Sequence, residues 1–475
     1  MLNRILYSFA LVLVISGHLP LMSQEIAFVE ALFDGQSQGA NIIDGLDGAQ
    51  TVVVSPDGRH VYVGGSMDDA LVVFERDSVT GLLTWIEAVV DGVNGVDGLD
   101  GVEALAISHD GGTVYAAGLL ENELAVFSRN AGTGTLSFVE VHADAPLNGI
   151  HSVVVSPDDQ NVYAAGRNAN ALVVYTRNLA DGTLTFLERP KDGIGGVDGL
   201  SGVTSVAVSP DGQNVYAVGQ GEREISSFSR SAVDGSLTFL GVVPAGTMEG
   251  EIDSEGKAVV RLEPTGRHLY LLMHIDDPFE VLIHLYTRDP VSGALSIGRA
   301  LRSTSAAQCS RGVEGDSGVA FAPNGTAVYV NHPFDKSVAA FTVDAASGEL
   351  TLANTLCDDS IGQGDPGDVD GLWGSQDLAI SPDGKFLYVV ASDVEDAVTV
   401  LEITCQARGA EIVADETLLN ETRLVQACDS ITLGPNLFLD TGGDLTVRTG
   451  GTVEFIPPVQ VLSGASLTVI NDPPE

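Results

Sequence analysis

The stretch "SPDGRHVYVGGSMDDALVVFERDSVTGLLTWIE", Ser55–Glu87, decides the fold. It opens on Ser-Pro-Asp-Gly, where proline presets one turn dihedral and glycine takes the left-handed one. Three short β-branched and aromatic runs follow, "HVYVGG", "ALVVFER" and "LTWIE", separated by Gly- and Asp-rich breaks. With the run "TVVV" just before Ser55, the unit reads as four antiparallel strands.

The unit recurs seven times. Its landmark returns as "SHDG" at Ser108, "SPDD" at Ser156, "SPDG" at Ser209, "EPTG" at Glu263, "APNG" at Ala322 and "SPDG" at Ser381, at spacings of 53, 48, 53, 54, 59 and 59 residues. A tyrosine holds the same place in every copy: Tyr62, Tyr115, Tyr163, Tyr216, Tyr270, Tyr329 and Tyr388. One fixed position per repeat points to packing between repeats. Four strands per unit and seven units predict an all-β, seven-bladed β-propeller. The seventh unit ends after its third strand, "AVTVLEI" (Ala397–Ile403), while "IAFVEALFDG" (Ile26–Gly35) matches the fourth strand "LTFLERPKDG" (Leu184–Gly193). The N-terminal strand is therefore expected to complete blade seven, which leaves the ring without open edges.

Three segments follow: 1–23 as a signal peptide, 24–404 as the propeller and 405–475 as a small β-rich module. The first carries Arg4 and the apolar run Ile5–Ile15, too short to span a bilayer, with cleavage expected near Ser23. The last repeats "LDTGGDLTV" (Leu439–Val447) as "VLSGASLTV" (Val461–Val469), 22 residues on, the period of short β-helix rungs. Such a chain is secreted, to the periplasm or beyond the cell, and has no transmembrane segment once the signal is removed. It is expected to be a monomer. Its four cysteines lack CxxC spacing, which argues against zinc and thiol redox chemistry. Export and an even count suggest two disulfides, with Cys309–Cys357 and Cys405–Cys428 favoured by order among three pairings.

The formal charge is −43, from 22 basic and 65 acidic residues. A chain this acidic repels nucleic acid and anionic membranes. Its acidic connectors stand out. "GVNGVDGLDG" (Gly92–Gly101) joins blades one and two, and Asp-Gly-Leu-x-Gly returns before blades one, four and seven, with Asp44, Asp97, Asp198 and Asp370 equivalent. These loops sit on the face where the chain enters the inner strands. Their aspartates are candidate calcium ligands, since hard carboxylate oxygens suit that ion. The competing readings are a ligand rim, and turn chemistry in which glycine permits the path, aspartate caps its own turn and leucine plugs the gap between blades. No cofactor is required; calcium is the one the loops could take.

The repeat of Ser55–Glu87 resembles the seven-bladed lactonase-type propellers, which include 6-phosphogluconolactonases, muconate-lactonising enzymes and YVTN-repeat surface proteins. The resemblance covers about Ile26–Ile403 and says nothing of the tail. It implies a catalytic histidine just before a first strand. In "GIHSVVVSPD" (Gly149–Asp158), His151 falls on that position. The family also implies an arginine in a "GPRH" segment two blades on and an Asn-Glu pair after the second strand. Here Lys257-Ala258-Val259 and Met273-His274 stand in those places. Arg167, His274 and Trp373, in loops of the same face, are candidate ligand-binding residues.

His151 thus lacks a visible partner. The leading expectation is an exported binding protein that uses its rim loops for a small molecule, a carbohydrate or an extracellular protein. The alternative is a lactone hydrolase with His151 as general base. A structural cell-surface repeat protein is a further reading.

Overall fold

The computed structural model describes residues 24–143, 147–246, 258–276, 279–303, 318–332, 336–358, 369–392 and 395–405, and beyond these the strands of the C-terminal segment. The expected signal peptide, 1–23, lies outside the described residues. So do Cys309 and Cys428, on which the two expected pairings depend.

Seven four-stranded antiparallel sheets form the blades. In blade one the strands run Ala49–Val54, His60–Gly65, Ala70–Arg76 and Leu83–Val90, in spatial order. The first strands of blades one to five lie against one another in turn, as do those of blades six and seven, and that of blade seven, Ser375–Ile380, lies against that of blade one. The ring closes as the strand lengths require: Gln24–Phe33 pairs antiparallel with Ala397–Cys405, from Gln24 opposite Cys405 to Phe33 opposite Ala397. No helix of the described residues is long and apolar enough to cross a membrane.

The core is seven apolar clusters, one at each seam between blades. At the closing seam Leu32, Val61, Val63 and Phe74 pack against Tyr388, Val390 and Val400. The second strands, such as His60–Gly65, are buried along their whole length. This explains their near-continuous apolar sequence: both faces of the strand meet a neighbouring blade.

The seven tyrosines do more than pack. Tyr62 Oη donates to the Gly134 carbonyl of the next blade at 2.8 Å and accepts from Arg129 Nε at 2.7 Å. Arg129, the last residue of its third strand, also grips both carboxylate oxygens of Asp57 at 2.9 Å. Asp57 is the Asp of the Ser-Pro-Asp-Gly landmark, so three residues of the repeat lock adjacent blades. The lock recurs with Arg177, Arg230 and Arg288, and Arg76 makes it across the closing seam with Tyr388 and Asp383. Blades six and seven carry Val343 and Ile403 where these arginines stand.

In the C-terminal segment, short strands pair in parallel in three three-stranded sheets, with Thr422 opposite Asp444 and Asp444 opposite Ser466.

Candidate functional site

The inner strands share a defect that builds the site. Their pairing with the second strand jumps from Ala49 to Thr51, Val102 to Ala104, Ile150 to Ser152, Val203 to Ser205 and Ser375 to Asp377. A β-bulge of this kind drops one residue out of the ladder and re-aims its side chain. The five dropped residues are Gln50, Glu103, His151, Thr204 and Gln376. All five line one depression at the channel mouth, together with Thr51, Ser205, Arg261 and Asp377.

His151 Nδ1 lies 2.9 Å from Glu103 Oε1, and both side chains are nearly buried, 13 % and 10 % exposed. An ionised carboxylate only accepts, so Nδ1 carries the proton and donates it. In the neutral ring this leaves the lone pair on Nε2, the tautomer that can act there as a base.

Arg261 comes from the inner strand of blade five, Val259–Leu262. Its Nη1 donates to Val260 O at 3.0 Å and to Ser205 Oγ at 3.3 Å. Burial presses its charge downward and the field of Asp377 supports it. Asp377 in turn accepts from the Leu378 N–H at 2.9 Å, and from Thr51 Oγ1 and the Val52 N–H at 3.3 Å. Blade five, whose sequence lacks the arginine where the resemblance placed it, thus brings one to the channel a few residues further on.

The other sequence-predicted residues lie elsewhere. Arg167 and Trp373 are not among the residues lining the depression. The Arg167 N–H donates to Gly149 O at 2.8 Å, which fixes the loop that leads into His151. The Trp373 indole lies beneath the buried Lys336, whose Nζ is 3.6 Å from the ring centroid. The backbone of His274 pairs with Val281; its side chain is outside the described ones.

The four connector aspartates come together with other acids. Each forms a triad whose carboxylate oxygens lie within 4.8 Å of one another: Asp34, Asp44 and Asp68; Asp91, Asp97 and Glu121; Asp192, Asp198 and Glu222; Asp358, Asp370 and Glu395. Three convergent oxygens are the donor type calcium takes. Turn chemistry operates as well, and the acid upstream shares in it. The leucine N–H is held by the acid upstream, Asp91 accepting from Leu99 at 3.0 Å and Asp192 from Leu200 at 3.0 Å, while Asp370 of its own Asp-Gly-Leu accepts from the Gly371 N–H at 3.1 Å. Glycine is required at Gly98, whose φ is +90° and whose added Cβ would meet Val141 Cγ2 at 2.7 Å. Leu46, Leu99, Leu200 and Leu372 are fully buried plugs.

Glu103 and Arg261 escaped the reading of single motifs. A signal existed: Glu103 follows Gly101 by two residues as His151 follows Gly149, so the two hold one position in adjacent repeats.

Comparison with known proteins adds the following. The family model described as "Lactonase, 7-bladed beta-propeller" matches residues 46–197 and 299–418, more than half of the chain. No curated protein matches it. A Bacteroides uniformis structure assigned as a 6-phosphogluconolactonase is similar at 21 % identity and TM-score 0.52, over 66 % of this chain and 85 % of that one. The Pseudomonas aeruginosa periplasmic gluconolactonase is similar at 22 % identity and TM-score 0.50, over 70 % and 95 %. Hydrazine synthase of Kuenenia stuttgartiensis reaches TM-score 0.54 at 17 % identity, over 78 % and 100 %. At these identities the likeness is one of fold.

Proposed function

From the premise that this chain belongs to the lactonase seven-bladed β-propeller family, we propose that it hydrolyses a cyclic ester at the channel mouth, with His151 as general base. The observation that carries this reading is the 2.9 Å contact between His151 Nδ1 and Glu103 in the lining of the depression. The binding role ranked first from sequence because His151 had no partner there. Glu103 removes that objection.

The chemistry follows from the groups present. Nε2 takes a proton from water as the water oxygen bonds to the lactone carbonyl carbon. Glu103 holds the ring in the basic tautomer and stabilises the imidazolium that forms. The carbonyl oxygen becomes an oxyanion, and the Arg261 guanidinium is the cation of the depression that offsets it. The tetrahedral carbon then expels the ring oxygen, which receives the proton held by His151. The product is an open hydroxy acid.

Export to the periplasm or beyond belongs to the same reading. It is supported by the apolar run Ile5–Ile15 and by the even number of cysteines without CxxC spacing.

The test is turnover of a panel of δ- and γ-lactones by purified protein, followed as acid release, with His151→Ala as control. Turnover that His151→Ala abolishes supports the assignment. Turnover equal in both proteins, or absent from both, overturns it.

A further inference from the structure

We infer that the site selects uncharged lactones and rejects anionic ones; this rests on the hydrolase reading above. The charged groups lining the depression are Glu103, Asp377, His151 and Arg261. The single guanidinium is the one that offsets the oxyanion, and its Nη1 already donates to Ser205 Oγ and Val260 O. A phosphate or carboxylate on the substrate finds no second cation in the lining. It meets two carboxylates instead.

The surroundings act in the same direction. Each of the four carboxylate triads joins two acids of a connector leading into an inner strand to one acid of the turn between a second and a third strand, all on the face of the channel mouth. Against them, the described basic side chains of that face are Arg167, Arg189, Lys191, Arg223 and Lys336, the last stacked on Trp373. A cleft with one sign of charge and low-dielectric walls focuses its field on the entrance and lowers the local concentration of like-charged solutes. Salt screens that field over about 8–10 Å at moderate ionic strength.

Asp377 is the specificity-determining residue in this account. It stands on the inner strand of blade seven and lines the same depression as Arg261, where it is one of the two carboxylates. Neutralising it removes one of the two carboxylates that an anionic substituent meets.

The experiment compares δ-gluconolactone with its 6-phosphate, a pair that differs only in the charged group, in EDTA-containing buffer across a salt series. The expected result is a kcat/KM for the uncharged lactone higher on the order of tenfold at low salt, and flat with salt. That for the phosphate should rise with salt. Asp377→Asn, with folding confirmed by its melting curve, should move the ratio toward the phosphate; the rim pair Asp97→Asn and Asp198→Asn should weaken the salt dependence. A preference for the phosphate, or a rate for it that falls with salt, overturns the inference and leaves the hydrolase reading standing. Hydrolysis of neither these lactones nor the wider panel overturns both.

Discussion

His151 and Glu103 meet across the seam between blades three and two, 2.9 Å apart, each from the bulge of its own inner strand. Two copies of one repeat position have taken complementary chemistry. The bulge frees both side chains from the ladder, and the adjacency of inner strands brings them together.

That relationship predicts a division of labour. His151→Ala should lower kcat/KM by about a hundred- to ten-thousandfold, the usual worth of a positioned base. Glu103→Gln should lower kcat while leaving KM close to unchanged, because the glutamine can turn its amide NH₂ toward Nδ1 and hold the wrong tautomer. Steady-state kinetics with a matched melting curve check this. A Glu103→Gln protein that melts normally and keeps full kcat denies Glu103 its positioning role.

The architecture was legible because the repeat is written in backbone chemistry. Pro-Asp-Gly turns and one buried tyrosine per unit recur at fixed places, and the orphan strand at Ile26–Gly35 told which end closes the ring. The site was only half legible. His151 stood out through its family position, but Glu103 sits in "VEALAI" and reads as an ordinary strand residue until the bulge is seen. Arg129 and its counterparts were visible as the closing residue of "ALVVFER", "ELAVFSR" and "ALVVYTR". Their role depends on the Asp and Tyr of another blade, a relation no local window contains.

The interblade lock should add to the stability of the five seams that carry it. Arg129 is buried and holds Tyr62, Asp57 and its own Gly111 carbonyl. Arg129→Ala strands the buried partners and should cost about 3 kcal/mol, the low end for a broken buried pair, because Asp57 keeps 34 % of its side chain in water. Arg129→Lys should recover little, since an ammonium cannot reproduce the fork. Urea unfolding of the three proteins measures both.

The same lock sets the response to acid. Burial pushes the Asp57 carboxyl up, but hydrogen bonds from Ser55, Arg129 and the Arg59 N–H outweigh it and bring it down to about 2. Asp110, Asp158, Asp211 and Asp383 are lowered by their own serines and arginines, likewise against burial. A carboxyl held below its ordinary value contributes stability that is present above that value and lost as pH falls through the folded one. The melting temperature should therefore fall steeply between about pH 4 and pH 2, and Asp57→Asn should flatten part of that slope.

Ring closure rests on ten residues. Removing 24–33 exposes the edge of Ala397–Cys405 and returns Ile26 and Leu32, both 4 % exposed, to water. Two such side chains are worth at least about 3 kcal/mol. The truncated protein should melt well below the full chain. An unchanged melting curve would show that blade seven does not need its fourth strand.

The connector before blade seven carries a charge conflict that pH can relieve. Burial raises the Glu395 carboxyl, the Trp373 N–H lowers it, and the carboxylates of Asp358 and Asp370 raise it further, with Lys336 opposing them; the balance is about 7 against an ordinary value of 4.5. An acid whose folded value is raised stabilises the fold fully below its unfolded value, and that contribution disappears as pH rises through the folded one. The fold therefore loses stability at this site between about pH 4.5 and pH 7. Glu395→Gln keeps an oxygen to accept the Trp373 N–H, which Glu395 now accepts at 2.9 Å, and removes the charge. Its melting temperature should exceed that of the parent above about pH 7, and the difference should shrink toward zero at about pH 4.5, where the parent carries the proton. Because the carboxyl groups outside this triad titrate alike in both proteins, the difference between the two curves isolates the triad. A constant offset across the range would mean that packing, not charge, separates the variant from the parent.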